Sequence, residues 1–183
     1  MADYADSWLE TRTVRGRALK PRTREHYRAM LDDHLIPAFG KKAVRDITLE
    51  SVDRWYARTL KDRHTQRAHT YSLLKTILET ARTRDRLIEH NPCLVRGGGT
   101  TARKVKPRPA TLEELAIIEG EMPERYRLMV PLSAWLATRF GETVELRRKD
   151  VDLKNGVVMI RRAAVRTEDG WLIGDPKADA GIR

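Results

Sequence analysis

The sequence predicts a mainly α-helical protein with a small antiparallel β-sheet, divided into two domains. Before about residue 95, apolar residues recur at helical spacing, whereas after residue 155 the apolar runs are short and rich in β-branched residues. Between these parts lies VRGGGTTARKVKPRPA, residues 95–110, whose glycines, cations and prolines are typical of a linker that is flexible first and stiffer later. We therefore expect a helical domain over 1–95, a basic linker over 96–110 and a second domain over 111–183.

Two amphipathic segments predict the first helices. Residues 4–11 place Trp8 on an apolar side, and residues 21–35 carry an apolar stripe at helical spacing. Pro21 suits a first helical turn, where its missing N–H costs nothing. Ile36-Pro37 and Gly40 are expected to close the second helix, because proline cannot donate the next helical hydrogen bond.

The third and fourth helices are predicted from capping residues followed by apolar stripes. Thr48 is followed three residues later by Ser51, and Thr65 is expected to cap the fourth and longest helix. Asn91 and Pro92 end the block, because the residue before proline avoids helical backbone angles. Four short helices in about ninety residues predict a small bundle. The side chains predicted to form its core are Tyr27, Met30, Leu31, Leu35, Val52, Trp55, Tyr56, Leu60, Leu73, Leu74, Ile77, Leu78 and Ala81.

The second domain is predicted to begin with helices. Thr111 and Glu114 form a capping-box pattern at the start of the first one. An apolar segment over 123–137 predicts a helix buried in a core, kinked or begun late because of Pro131. A further short helical piece is predicted over 144–148.

The periodicity then changes to that of strands. The apolar runs 157–160 and 171–173 lie on either side of Glu168-Asp169-Gly170, which is a hairpin pattern. We therefore predict a small antiparallel sheet after the helices of the second domain.

The net charge of +10 is confined to the first part of the chain. Residues 1–106 contain 23 Lys and Arg against 13 Asp and Glu, whereas residues 107–183 contain 13 of each. Such a distribution favours a polyanionic partner, and nucleic acid is the commonest one. A basic helical domain without a polyanionic partner is the alternative that charge alone leaves open.

Several classes of protein are disfavoured by composition. The single cysteine, Cys93, cannot form an internal disulfide and suits a reducing cytoplasm. No apolar run approaches about 18 residues and no secretory leader is visible, so no membrane partner is expected. The five histidines lack metal-ligand spacing, and the glycine run at 97–99 lacks the Lys-Ser/Thr of a nucleotide-binding loop, so no metal or other cofactor is expected.

Basic and polar side chains gather at the start of two predicted helices. At helix N-termini such side chains reach base edges and phosphates in a major groove, and the helix dipole also favours phosphate. A solvated helix face is the alternative interpretation. The predicted DNA-contacting residues are Arg22, Thr23, Arg24, Lys41, Lys42, Thr65, Gln66, Arg67, His69, Lys75, Arg103 and Lys104.

Arg139 is a charge at a position where the helical period predicts a core residue. Leu128, Leu132 and Trp135 share one face of the predicted apolar helix, and at about 100° per residue that face returns at Arg139. Glu142, three residues on, is placed to pair with it. Two interpretations remain: a structural ion pair at a helix end, or a guanidinium that Glu142 holds so that it presents its N–H groups to a phosphate.

Three segments of the chain follow an ordered pattern. TREHYRAMLDDHLIPAFGKKAVRDITLESVDRWY has a Thr–Tyr–Leu spacing, a His-x-x-Pro-x-x-Gly turn and an Ile-Thr step before a helix. LLKTILETARTRDRLIEHNPC follows, and TRFGETVELRRKDVDL sets an Arg before Gly-Glu and a Leu, then an aspartate and a strand. Together they resemble the tyrosine recombinases, the integrase family of phages and mobile elements. The resemblance implies a helical, SAM-like core-binding bundle followed by a partial α+β catalytic domain.

The resemblance also implies roles for three residues. Arg139 matches the first catalytic arginine, Glu142 its supporting acid, and Lys177 the hairpin lysine that acts as general acid. In that chemistry a tyrosine attacks a DNA phosphate, giving a phosphotyrosine and a free 5′-hydroxyl, while arginines stabilise the non-bridging oxygens. The implied partner is double-stranded DNA at attachment or recombination sites, bound by a tetramer of the full-length parent, in the cytoplasm of a bacterium and encoded by it or by a phage.

The chain departs from the family pattern in two respects. Ala137 stands two residues before Arg139, where the family usually has glycine. The His-x-x-Arg box and the nucleophilic tyrosine of the family have no counterpart in this sequence, whose tyrosines all precede Arg139. We therefore predict a truncated tyrosine recombinase that binds duplex DNA without cleaving it. The alternatives are a non-catalytic module that occupies recombination sites and a helical transcription factor of another family.

Overall fold

The structure, a computed structural model, describes residues 1–101 and 107–176. The chain divides into two units, Met1–Val105 and Lys106–Arg183. The described residues are mainly helical, with small two-stranded antiparallel sheets, which confirms the predicted fold class.

Within residues 1–101, four main helices build the first unit, as predicted. They are α1 (Ala2–Thr11), α2 (Pro21–Met30), α4 (Leu49–Arg58) and α5 (His64–Thr83), with a short α3 (Ile36–Phe39) and a 3-10 turn (Val44–Asp46) between α2 and α4. Thr48 caps α4 as predicted. Its Oγ1 accepts from the Ser51 N–H at 3.2 Å, and the Ser51 Oγ accepts from the Thr48 N–H at 3.1 Å.

The helical path continues past Pro37 and ends at Phe39, so the end predicted at Ile36-Pro37 is wrong, whereas Gly40 does close it as the C-cap of α3. A π-helical turn, Leu31–Leu35, joins α2 to α3, and the Ile36 N–H donates to the Leu31 carbonyl five residues back. This change of register puts Pro37 in the first turn of α3, where its missing N–H leaves no helical bond unmade. The chain therefore turns only after Phe39, which is buried.

The longest helix, α5, begins at His64, so the predicted N-cap at Thr65 is wrong. Arg63 is the N-cap and makes no side-chain capping bond. A turn sets this start: the Arg63 N–H donates to the Leu60 carbonyl at 3.0 Å, and Leu60 has a φ of 51°. Leu60 therefore lies outside the helix that was predicted to include it.

The core of the first unit lies between α1, α2, α4 and α5. The indole N–H of Trp8 donates to Thr80 Oγ1 at 2.9 Å and so ties α1 to α5. Tyr27, Tyr56 and Leu60 are half-buried. The other predicted core residues are buried, which confirms Met30, Leu31, Leu35, Val52, Trp55, Leu73, Leu74, Ile77, Leu78 and Ala81.

In the glycine run at 97–99, which composition predicts to be flexible, Gly98 and Gly99 pack against Tyr71 and Ser72 of α5. A Cβ added to Gly98 would lie 2.8 Å from Cε1 of Tyr71. The same Tyr71 hydroxyl accepts from the Val95 N–H at 2.9 Å. Glycine is therefore needed here for close approach to an aromatic ring.

A short β-hairpin between α1 and α2 was missed by the sequence prediction. β1 (Thr13–Val14) pairs antiparallel with β2 (Arg17–Ala18). The two turn residues, Arg15 and Gly16, have φ values of 53° and 73°. Positive φ at both central positions is the pattern of a type I′ turn, which matches the twist of a hairpin.

The helices of the second unit are α6 (Leu112–Glu121), α7 (Met129–Leu136) and α8 (Phe140–Val144), with 3-10 turns at Glu124–Tyr126 and Arg148–Asp150, among the described residues. The capping box predicted for α6 is confirmed. Thr111 Oγ1 accepts from the Glu114 N–H at 3.2 Å, and Glu114 Oε2 accepts from the Thr111 N–H at 2.8 Å. The late start predicted for α7 is also confirmed, since Pro131 lies in its first turn.

The strands of the second unit pair differently from the prediction. β3 (Val151–Asp152) pairs with β4 (Val157–Val158), and β5 (Ala163–Thr167) pairs with β6 (Gly170–Gly174). The turn at Glu168-Asp169 is confirmed, because Thr167 and Gly170 are register partners. The partner of β6 is thus a segment with a weaker strand pattern than 157–160.

The helix predicted over 144–148 is also wrong. α8 lies earlier, over Phe140–Val144, and the chain leaves helical geometry at Glu145. The reason is local: a carboxylate caps the chain at Arg139 and starts the helix there, as described below.

Helix α7 is exposed in the described structure, although its composition predicts burial. Leu128 is 72% exposed and Trp135 is 70% exposed. Among the described residues, the buried hydrophobic side chains of the second unit are Ile160 and Ala164.

Candidate functional site

Arg139 lies at the N-terminus of α8 and not on the face of α7. Helix α7 ends at Leu136, and Ala137 turns the chain with φ 50° and ψ 36°, in the left-handed region. The helical period that placed Arg139 in line with Trp135 is therefore broken before it reaches Arg139. The left-handed step costs an L-residue about 1–2 kcal/mol, which glycine would not incur.

The carboxylate of Glu142 holds both the backbone and the side chain of Arg139. Glu142 Oε2 accepts from the Arg139 backbone N–H at 3.0 Å, and Oε1 accepts from Nη1 at 2.7 Å. The Glu142 side chain is 1% exposed, whereas that of Arg139 is 57% exposed. The pair therefore joins a buried anion to a guanidinium that faces solvent.

Two threonines tie this pair to α7. The hydroxyls of Thr138 and Thr143 lie 2.8 Å apart, and both residues are buried. Thr138 Oγ1 also lies 3.2 Å from the Leu132 carbonyl, and Thr143 Oγ1 lies 3.2 Å from the Arg139 carbonyl, so the two hydroxyl hydrogens serve two of these three contacts at a time. The start of α8 is thus fixed by side-chain hydrogen bonds on both sides of Arg139.

Gly141 lets α8 pack directly on β5. A Cβ at this position would lie 2.2 Å from the Ala164 carbonyl oxygen, which is a backbone atom and cannot swing away. The Gly-Glu pair of the sequence motif therefore has two separate functions: Gly141 allows the contact, and Glu142 holds Arg139.

Arg147 and Asp150 repeat the same arrangement with a different outcome. Asp150 Oδ2 and Oδ1 accept from Arg147 Nε at 2.7 Å and from Nη2 at 2.9 Å. This hydrogen bonding holds the pKa of Asp150 below its usual range, so the carboxylate stays ionised at neutral pH. Asp150 thus binds the Nε–Nη2 edge of its guanidinium with both oxygens, whereas Glu142 binds the Arg139 side chain with one oxygen, at Nη1.

The starts of α2 and α5 border one surface of the first unit. The rings of His26 and His69 lie 6.3 Å apart, edge to face. Arg22 is one helical turn before His26, and Thr65 is one turn before His69, so all four border the same surface. The Arg22 side chain is 66% exposed and pairs with Glu25 at 3.4 Å. Thr23 is half-buried and Arg24 is exposed.

Two of the predicted DNA-contacting residues on α5 are engaged within the protein. The Gln66 side-chain amide donates to His34 Nε2 at 3.0 Å. The Arg67 guanidinium lies 4.6 Å from the centre of the Tyr56 ring, and its Nη2 donates to His64 Nδ1 at 2.9 Å. The first turns of α5 therefore present Thr65 and His69 more openly than Gln66 and Arg67.

The remaining predicted contacts are not brought to this surface by any described interaction. Lys41 and Lys42 are exposed, and the Lys42 carbonyl accepts from the N-terminal ammonium of Met1 at 2.6 Å, at the start of α1. Lys75 is exposed on α5. Arg103, Lys104 and Lys177 lie outside the described residues.

The sequence interpretation missed most of a dense basic segment. Between Glu10 and Glu25 the chain has six Lys and Arg and no Asp or Glu. The signal that could have found it is the absence of acidic residues over this whole stretch. A search restricted to helix starts considers only the part that belongs to α2. The cations of the whole segment are Arg12, Arg15, Arg17, Lys20, Arg22 and Arg24.

Residues 1–101 and 107–176 contain no group of three or more His, Cys, Asp or Glu side chains placed to hold a metal ion. No helix in these described ranges is both long and apolar enough to cross a membrane. The expectation that the chain needs no metal or other cofactor stays a prediction.

Comparison with known proteins identifies relatives along the whole chain. Residues 1–60 match the phage integrase N-terminal SAM-like domain. Over 181 residues the chain is 48% identical to the putative prophage phiRv2 integrase of Mycobacterium tuberculosis, an alignment that covers 99% of this chain and 47% of that protein. The chain is a homologue of the integrases. The integrase of Mycobacterium phage L5 is 33% identical over 180 residues, 97% of this chain and 46% of that one. The homologue described here therefore spans about half the length of these curated relatives.

Solved structures agree on the fold of this integrase homologue. The Tn1549 transposon integrase, in complex with a circular intermediate DNA, matches with a TM-score of 0.76 and 21% identity over 98% of this chain and 58% of that one. A lambda integrase dimer bound to a COC′ core site matches with a TM-score of 0.66 and 16% identity, over 94% of this chain and 47% of that one. The chain shares the fold of these integrases, and together with the integrase homologues this confirms the resemblance drawn from the sequence motifs.

Proposed function

We propose that this chain binds double-stranded DNA as the core-binding domain and first part of the catalytic domain of a tyrosine recombinase. The observation that carries the proposal is the Arg139–Glu142 pair, in which a buried carboxylate holds a guanidinium that is 57% exposed. An arginine is always charged and can bind two oxygens at once, so one that is fixed and solvent-facing suits a phosphate.

The charge of the first unit supports a duplex partner. All of the net charge of +10 lies before residue 107, and basic side chains surround the start of α2. Such a surface gains affinity for DNA by releasing the counterions that condense on phosphates. The Tn1549 and lambda integrases in the matching structures are themselves bound to DNA.

In the full-length parent, we propose, Arg139 stabilises charge on the non-bridging oxygens of the phosphate under attack, and Glu142 positions it. Lys177 would supply the proton to the leaving 5′-oxygen. The parent would act as a tetramer at recombination sites and join strands through a phosphotyrosine. The tyrosines of this chain all precede Arg139, and we expect none of them to be the nucleophile, so this chain alone would bind without cleaving.

A nicked suicide duplex carrying a recombination site tests the proposal. The expected result is a retarded complex in a native gel that dissociates in denaturant. A protein–DNA adduct that survives denaturant would contradict the absence of cleavage, and no retardation at low salt would contradict DNA binding itself.

Complementation tests the role of Arg139. A C-terminal fragment of an integrase relative, carrying the His-x-x-Arg box and the tyrosine, is added to this chain, and strand transfer is measured. Arg139→Ala should abolish strand transfer, while DNA binding by the first unit persists. The control is Arg148→Ala, which removes an exposed arginine of the second unit and should leave transfer intact. Binding without transfer for every variant would favour a non-catalytic module that occupies recombination sites.

A further inference from the structure

We infer that the β1–β2 hairpin is a separate DNA-contacting element, in which Arg15 at the tip and Arg17 on the second strand each bind a phosphate of the duplex. The inference rests on the proposed DNA binding and adds to it a surface that does not belong to the helices.

The charge of the hairpin is strong and poorly compensated. Arg15, Arg17 and Lys20 are exposed, and within the described residues none of them has an acidic partner within ion-pair distance. Arg12, by contrast, stacks over the Trp8 ring at 5.2 Å, which anchors the base of the hairpin to the core. The outer part of the hairpin therefore carries cations that the fold itself does not use.

The backbone of the tip indicates that Arg15 is present for a reason other than the turn. The first central position of a type I′ turn favours asparagine, aspartate or glycine, because φ is positive there. Arg15 adopts φ 53° at that position. Arginine is therefore not the residue that the turn itself favours at this position.

The hairpin also lies where a duplex on α2 would be in reach. β2 ends at Ala18 and α2 begins at Pro21, so the hairpin and the first turn of α2 share one short connection. At about 3.3 Å per residue, the three steps from Gly16 to Leu19 keep the tip within about 10 Å of that connection. A two-stranded ribbon fits a major groove, and an arginine side chain beside it reaches the flanking phosphates.

Within this proposal the hairpin arginines bind phosphates and do not read bases. Residues 11–24 contain no Asn or Gln, the amide side chains that read adenine. A phosphate contact carries no sequence information, so the hairpin should raise affinity equally for all duplexes. Each phosphate neutralised contributes about 0.9 to the slope of log K against log salt, which at about 0.1 M salt is roughly eightfold in affinity.

The full chain with Arg15→Asn tests this assignment. Asparagine is favoured at the turn position, so the thermal midpoint should stay the same or rise. The dissociation constant for a random-sequence duplex should rise about eightfold at about 0.1 M salt, and the salt slope should fall by about 0.9. Arg15→Lys keeps the charge and should keep the slope. Arg17→Thr keeps strand propensity, and together with Arg15→Asn it should lower the slope by about 1.8.

Arg86→Asn is a matched control. Arg86 is also an exposed arginine with φ 53°, but it lies away from the hairpin. Its neighbour Asp85 accepts a hydrogen bond from Tyr4 near the start of α1, whereas the hairpin follows the end of that helix. Its affinity and slope should equal those of the wild type. The inference is overturned if Arg15→Asn binds with an unchanged slope, if Arg15→Lys loses as much as Arg15→Asn, or if Arg86→Asn loses as much. If the unaltered chain binds no duplex at all, the proposed function itself is wrong. That outcome is seen with the unaltered chain alone, so it is distinguishable from a failure of the hairpin assignment, which is seen only between variants.

Discussion

Replacing Glu142 with glutamine keeps the shape of the side chain and removes one of its two acceptors. In the structure both carboxylate oxygens accept, one from the Arg139 backbone N–H at 3.0 Å and one from Nη1 at 2.7 Å. A glutamine offers one oxygen and one NH₂ group, so an NH₂ must face one of these two donors. One buried hydrogen bond at the start of α8 is therefore lost and replaced by a donor–donor contact.

The expected cost is about 2 kcal/mol. Leaving a buried polar group unsatisfied costs about 1–3 kcal/mol. Removing one partner of a fully buried ion pair costs about 3–5 kcal/mol. The lower range applies because the Arg139 side chain is 57% exposed and regains water when released.

Amide hydrogen exchange of the full chain measures this cost at the site. The N–H groups of Glu142 and Thr143 donate to the Arg139 carbonyl at 2.8 and 2.9 Å, and they report directly on the first turn of α8. About 2 kcal/mol corresponds to roughly a 30-fold loss of protection. The amides of α5, in the other unit, should keep their protection and act as an internal reference.

Glu124→Gln is the control for loss of a carboxylate, because Glu124 is exposed in the same unit. It should leave the protection of α8 unchanged. Equal protection in Glu142→Gln and in the unaltered chain would refute the reasoning, since it would mean that the carboxylate does not hold α8 and Arg139 in place.

Three further predictions concern single positions. Gly141→Ala places a Cβ 2.2 Å from the Ala164 carbonyl oxygen and should destabilise the second unit by about 2–3 kcal/mol, seen as faster exchange in β5, whereas Gly120→Ala, which meets open space, should stabilise α6 by up to about 1 kcal/mol. Ala137→Gly relieves a φ of 50° and should stabilise the start of α8 by about 0.5–1 kcal/mol, measured as slower amide exchange. This is the gain that remains after the extra freedom that glycine brings to the unfolded chain. Faster exchange would show that the turn is not strained. Burial raises the pKa of the Cys93 thiol to about 12, so a maleimide at pH 8 should label it only after denaturation, and rapid labelling of the folded chain would contradict its burial.

Local patterns in the sequence were sufficient for the elements whose determinants lie within one or two helical turns. The capping boxes at Thr48 and Thr111 join residues three apart, and the apolar stripe of α5 repeats every turn. The Arg139–Glu142 pair is of the same kind, since its spacing alone predicted the contact that the structure contains. What spacing left open was which of the two has the exposed side chain.

Other features depend on residues that are distant in the chain. The packing of Gly98 on Tyr71 and the approach of Gly141 to Ala164 each depend on a segment more than twenty residues away, which a local window does not contain. Helical periodicity also could not place Arg139, because the left-handed backbone of Ala137 ends α7 before the chain reaches Arg139. An alanine side chain does not require that backbone angle, so the sequence gives no sign of the break.

By itself, then, the sequence determined the helical bundle, the confinement of positive charge to the first part of the chain and the arginine–glutamate pair, because each depends on residue type and short spacing. Only the tertiary structure decided that Arg139 faces solvent from a buried anchor, that Gln66 and Arg67 are used inside the protein, and that a basic hairpin stands beside α2. The physical reason is that exposure and the choice of partner depend on how distant segments pack, whereas the backbone hydrogen bonds of a helix and its caps are made locally.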